Sequence, residues 1–115
     1  MWEMDYIARG LNPIHHGVQV GAATPVVLRC YEEMRDHVPA ETMALCPPHE
    51  EVEALLRKAG AAISPKEIGI SRELFHKTLS QAPAFRDRYT IFKLCRAHGR
   101  MEEIADKITE ELYGA

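Results

Sequence analysis

An all-α bundle of about six to seven helices is what the 115-residue sequence predicts, on three observations. Apolar residues recur at three- and four-residue spacing in one segment after another. Gly and Pro fall between those segments at positions where helices start and stop. Nowhere does a run between turn signals alternate apolar and polar residues of β-branched or aromatic type, so no sheet is expected.

Taken in order, Trp2 to Arg9 reads as a short helix with Trp2, Tyr6 and Ile7 inward, stopped by Gly10 and an Asn12-Pro13 turn. Met1-Trp2-Glu3-Met4 places large apolar residues at the chain start with no N-cap residue before them. It reads either as a frayed terminal helix or as a helix cut in mid-course. From His16 to about Val38, Val20, Ala23, Val27, Cys30, Tyr31, Met34 and Val38 give the longest amphipathic stripe. Pro25 lies inside it and predicts a kink or break near Gly21 to Thr24, because it removes a donor and crowds the preceding turn. Arg29, Glu32, Glu33, Arg35 and Asp36 fall on the other face and are expected to be solvated.

Pro39 closes that helix, and Met43-Ala44-Leu45 is read as an apolar turn. Pro47-Pro48 announces a helix with Val52, Leu55, Leu56 and Ala59 inward, ended by a left-handed cap at Gly60. Ser64-Pro65-Lys66-Glu67 has the capping-box pattern and starts a very short helix that stops at Gly69. Ser71 caps the next helix, with Leu74, Phe75, Thr78 and Leu79 inward, which Pro83 ends or restarts. Tyr89, Ile91, Phe92, Leu94 and Cys95 define another, closed by His98-Gly99. The last runs from about Met101 to Leu112 on a Met101, Ile104, Ala105, Ile108, Leu112 stripe.

Length and a 46% hydrophobic content bound the chain to one helical domain over residues 1–115 with a single core. Fourteen Lys+Arg against seventeen Asp+Glu are interspersed throughout, which argues against a nucleic-acid or membrane-binding surface. No apolar run is long enough to span a bilayer and no signal-type segment opens the chain, so a cytoplasmic protein is expected. Cys30, Cys46 and Cys95 are odd in number and far apart, and are read as reduced.

Chemistry concentrates at His15-His16-Gly17, where an imidazole at a helix start could face a metal while a glycine leaves room for a ligand. A surface or capping histidine pair is the alternative. A metal centre that does chemistry needs about three protein ligands. His37, His49, His76 and His98 are scattered over other segments and are read as exposed or helix-terminal, not as further ligands. Arg86-Asp87-Arg88-Tyr89-Thr90 reads either as an anion-binding helix start or as a helix capped by Asp87 with exposed arginines. Glycine fingerprints, phosphate loops and nucleophile elbows are lacking, so nucleotide binding within the chain is not supported.

Four separated stretches together resemble the C-terminal helical domain of glycerol-1-phosphate dehydrogenases, within the wider iron- or zinc-dependent alcohol dehydrogenase and dehydroquinate synthase-like superfamily. They are Trp2-Glu3-Met4, His16-Gly17-Val18-Gln19-Val20-Gly21 leading into Leu28-Arg29-Cys30-Tyr31-Glu32, Ile68-Gly69-Ile70-Ser71-Arg72-Glu73, and Arg86-Asp87-Arg88-Tyr89-Thr90-Ile91. The resemblance implies that His16 is a metal ligand, for zinc or iron, and gives His15 no such role. In the family the metal polarises a substrate hydroxyl while hydride passes to NAD or NADP bound by a separate N-terminal domain. The family's other ligands, an Asp and a His in a Glu-His-His run, have no counterpart here, nor has the dinucleotide-binding domain. The chain alone is therefore expected neither to hold the metal and NAD(P) tightly nor to transfer hydride. Its expected partner is an upstream dinucleotide-binding polypeptide or a second copy. The alternative is a non-catalytic helical binding or oligomerisation module, favoured by the apolar Met1, Trp2 and Met4 and the small Gly21-Ala22-Ala23 stretch.

Overall fold

The computed structural model describes residues 2–11, 15–85 and 90–114. Among these residues seven α-helices follow one another: α1 (Trp2–Ala8), α2 (His16–Glu33), α3 (Ala40–Met43), α4 (His49–Lys58), α5 (Arg72–Phe85), α6 (Ile91–Ala97) and α7 (Met101–Tyr113). Short 3-10 turns lie at Arg35–His37 and Pro65–Ile68, and there is no strand among the described residues. The expected all-α bundle is the observed one. The Asn12-Pro13 turn, Met1 and Tyr89 lie outside the described residues.

Helix α2 runs uninterrupted through Pro25, so the expected break does not occur. The proline ring is fully buried, and packing on both sides of it, at Ala22 and Val26, holds the helix despite one missing donor. Thr24 Oγ1 donates to the Val20 carbonyl at 2.8 Å in the same turn. The helix ends earlier than expected, at Glu33. Arg100 closes it there by donating to the Glu33 carbonyl at 2.7 Å, a cation where the helix dipole favours one.

The core gathers Val26, Cys30 and Met34 of α2, Phe75 and Leu79 of α5, Ile91 and Cys95 of α6, and Met101, Ile104, Ala105 and Ile108 of α7, with Ile70 between. Cys30 and Met34 of the expected α2 stripe are buried, but towards the helix start a different side turns inward. Ala22, Val26, Cys30 and Met34 are its buried line, while Val20 is 50% exposed. The thiols of Cys30 and Cys95 are free, buried and in mutual contact. Donation to the Cys95 sulfur, reinforced by burial, pushes the Cys30 thiol well up, and accepting that bond pulls Cys95 down.

Polar residues of α2 expected in solvent instead tie the bundle together. Arg29, with 12% of its side chain exposed, donates to Glu111 of α7 at 2.6 Å and to Glu53 of α4 at 3.1 Å. Glu32 accepts from the His49 backbone N–H at 2.9 Å and meets the His49 ring at 2.8 Å, so it caps α4 from another helix. Glu33 takes the Lys107 ammonium at 2.6 Å, which raises the lysine's pKa. Arg35 and Asp36 are exposed, as expected.

Elsewhere local rules hold in part. Left-handed glycines at Gly60 and Gly99 end α4 and α6, each followed by a residue whose N–H reaches back to the last helical turn (Ala61 to Leu56, Arg100 to Cys95, both 2.9 Å). Ser71 caps α5 through Leu74 N–H at 3.1 Å, and Thr90 caps α6 through Lys93 N–H at 3.4 Å. The Ser64 capping box does not form. Glu67 instead accepts from Ile63 N–H and pairs with Arg57 at 2.7 Å, which holds its carboxyl below the usual range. Helix α4 buries no residue fully: Leu55 is 61% exposed and Ala59 is exposed, so only Val52 and Leu56 of the expected stripe are partly covered. Met43 ends α3 and Leu45, 84% exposed, is not packed as an apolar turn. Pro83 lies inside α5 without ending it.

Tyr113 at the end of α7 donates to the Ile70 carbonyl at 2.7 Å and its ring meets Phe75. Burial pushes its phenol from the usual 10 up to about 12. The unfolded chain therefore gives up this proton first, so the stabilisation is complete below pH 10 and is lost as pH rises towards about 12. In urea denaturation across that range, the wild-type midpoint is expected to fall more steeply than that of Tyr113→Phe. At neutral pH the variant loses about 1 kcal/mol with the hydrogen bond. Parallel pH profiles for the two proteins would refute the account.

Candidate functional site

His16 is the first residue of α2 and is exposed. Its position follows from backbone geometry: His15 adopts an extended conformation (φ −52°, ψ 132°), and its carbonyl receives Val18 and Gln19 N–H at 3.0 and 3.2 Å, opening the first turn. A Cβ built on Gly17 would meet only His15 Nδ1, at 3.8 Å, so nothing described within the chain requires glycine there.

The imidazole stands on the rim of an open cleft of about 570 Å³. One wall is α2, through Val20, Ala23 and Val27. The other is built by Phe75, Thr78 and Leu79 of α5 with Phe92 of α6, and Trp2 and Met4 of α1 close one end. The periodic stripe read from the sequence is thus real, but its first half faces this cleft and not the core. Of Gly21, Ala22, Ala23 and Thr24, only Ala23 lines it: Ala22 is fully buried, a Cβ built on Gly21 would meet Leu56 of α4 at 4.0 Å, and Thr24 is exposed.

Two buried polar side chains sit among the apolar ones. Thr78, 8% exposed, accepts from Trp2 Nε1–H at 2.9 Å and donates to the Phe75 carbonyl at 3.1 Å. This bond joins α1 to α5 across 76 residues of sequence and fixes the indole against the wall. Gln19, 7% exposed, lies one helical turn from His16 on the same lining. The inward position expected for Thr78 is the observed one, whereas burial of Gln19 carries no periodic signal in the sequence.

Two groups of three acidic or histidine side chains have ligand atoms within 4.8 Å of one another among the described residues: Glu32, His49 and Glu50, and His76, Glu102 and Asp106. His16 is in neither. With one imidazole and no carboxylate or thiol on the lining, the described residues of the cleft do not by themselves fit zinc or iron, which need about three ligands. The other histidines are placed differently from one another. His37 and His98 are exposed and stack at 3.8 Å between ring centroids, and His49 begins α4 between Glu32 and Glu50. His76, expected to be exposed or helix-terminal, is half-buried within α5, 2.6 Å from Asp106. Arg86 and Arg88, the candidate anion-binding pair, lie outside the described residues.

The chain is 26% identical to the glycerol-1-phosphate dehydrogenase [NAD(P)+] of Geobacillus stearothermophilus, over 78% of its own length and 29% of that enzyme's. It is 23% identical to the enzyme of the same name from Geobacillus thermodenitrificans, over the same shares, and 31% identical to that of Bacillus velezensis, over 76% and 25%. The sequence resemblance to glycerol-1-phosphate dehydrogenases therefore stands, and the chain spans less than a third of the length of these relatives. No family model and no solved structure matches it. No described helix is long and apolar enough to cross a membrane.

The Trp2–Thr78 bond yields a direct test of the cleft's architecture. Trp2→Phe keeps most of the ring but leaves Thr78 Oγ1 without this donor, and is expected to lower stability by about 1 kcal/mol in chemical denaturation. Thr78→Val removes the other partner and should cost a similar amount. In the double-mutant cycle the two losses should be less than additive, since they delete one interaction. Full additivity would show that the bond is not formed in solution.

Proposed function

We propose that this chain is the helical, metal-presenting part of a glycerol-1-phosphate dehydrogenase-like, NAD(P)-dependent oxidoreductase, and that it is inactive on its own. The observation that carries the reading is a coincidence of two things. The chain is similar over 78% of its length to enzymes of that name, and His16, the residue the resemblance assigns to the metal, stands on the rim of its apolar cleft. A dinucleotide-binding polypeptide would supply the remaining metal ligands and the NAD(P) site beside the open cleft. This chain's own contribution would be the His16 imidazole at a helix start beside a mainly apolar lining. Zinc or iron, held in part by His16, would act as the Lewis acid on the substrate hydroxyl.

A second reading rests on the exposure of Met4 (61%) and Val20 (50%) on the cleft lining and of Ile7 (60%) on the same short helix as Met4. On this reading the chain is a non-catalytic module that associates with its own copy through that surface. The two readings separate by light scattering: a chain that stays monomeric at high concentration removes the second.

The first is tested by following NADH or NADPH oxidation with dihydroxyacetone phosphate and zinc or iron. The chain is assayed alone and with the nucleotide-binding segment of the Geobacillus stearothermophilus enzyme, association of the two being measured separately by gel filtration. The expected result is no turnover alone and turnover in the complex, with His16→Ala lowering it at least about tenfold, the loss common for changes around a metal. Turnover by the chain alone, or an active complex indifferent to His16→Ala, would overturn the proposal.

A further inference from the structure

Helices α5 and α7 form the most extensively packed pair in the bundle. A concavity of about 350 Å³ lies along their contact, with His76 on one side and Asp106 on the other. His76 Nε2 is 2.6 Å from Asp106 Oδ1. Glu102 stands one turn before Asp106 on α7, and one ligand atom from each of the three lies within 4.8 Å of the others. We propose that His76, Glu102 and Asp106 form a binding site for a first-row divalent transition-metal ion such as zinc.

Geometry comes first. Some point lies within about 2.8 Å of all three atoms so spaced, so side-chain shifts of about 1 Å reach the ~2.0–2.2 Å of zinc–nitrogen and zinc–oxygen bonds. The ligands ride on fixed backbone, because Ile104, Ala105, Ile108 and Thr109 anchor α7 and Phe75 anchors α5, all 2% exposed or less. A site on packed helices needs little ordering when the ion arrives.

Charge points the same way. Carboxylates four residues apart on a helix repel, and Glu102 makes no ion pair among the described residues that would offset this. Glu73 and Glu110 add negative charge at the rim of the concavity. Of the two cations lining it, Arg72 is turned to the Gly114 carbonyl, which leaves Lys77 facing the site. On the far side of α7, Glu103 and Lys107 are taken up by Arg100 and Glu33. One imidazole with two carboxylates suits zinc, cobalt(II) or nickel(II) better than calcium or magnesium, which favour oxygen alone. Three protein ligands leave further positions to water.

Cobalt(II) absorption titration and zinc calorimetry on the whole chain test the site, with His16→Ala as the background so that uptake at the cleft is not counted. The expected result is saturable uptake of one ion per chain in that background. His76→Ala and Asp106→Asn should each weaken it at least about tenfold, Glu102→Gln should weaken it less, and zinc should raise the melting temperature of the background protein but not of Asp106→Asn. Asp106 is 65% exposed, so its amide variant decides the matter if circular dichroism shows that His76→Ala fails to fold. Absence of saturable uptake in the His16→Ala background at millimolar cobalt overturns the proposal, as does uptake undiminished in Asp106→Asn.

Discussion

Helix α2 has to satisfy three surfaces at once, and the rest of the bundle is arranged around that requirement. Its eighteen residues, about 27 Å of helix, carry one line of side chains into the core, a second onto the cleft and a third to the ion pairs of α4 and α7. Burying one line fixes the azimuth of the other two. Because Cys30 and Met34 meet α6 and α7 inside, His16 and Val27 must face the space left between α2 and α5, and Arg29 must point to Glu53 and Glu111. A rotation of α2 by one residue's arc would expose the core line and unpair Arg29 together.

This is also why the helices were legible from sequence while the inward face of α2 was legible only in its second half. A three- and four-residue period identifies a helix whichever side is buried, and α2 is apolar on more than one side. Val20, Ala23 and Val27 fit the period as well as Ala22, Val26 and Cys30 do; only the positions of α5 and α6 choose between them. Where a helix has one apolar line, as α7 does with Met101, Ile104, Ala105 and Ile108, the period and the burial agree. Caps were readable where the donor and acceptor lie within one turn, as at Ser71, Gly60 and Gly99. They failed at Ser64, where Glu67 meets Arg57 from a separate helix.

The candidate sites divide along the same line. His16 is marked by its neighbours in sequence and by the family resemblance, but the walls opposite α2 come from residues some sixty to seventy-five positions away in the chain, which no local pattern joins to it. For the α5–α7 group, the Glu102 and Asp106 spacing is visible in the sequence while its histidine lies 30 residues before Asp106 on another helix. Arg29 shows the limit most clearly. A charged residue on a helix face reads as solvated until partners 24 and 82 residues away are known.

Trp2 is the one tryptophan of the chain, and its indole is pinned to Thr78 at the end of the cleft. Its emission is therefore an intrinsic optical gauge of that cleft alone. Anything that enters it, a second copy, a nucleotide-binding polypeptide or a small polyol, displaces water from a ring whose hydrogen bond is already spent inside the protein. Occupancy of the cleft can then be followed by fluorescence in the unlabelled chain, with no dye and no engineered residue.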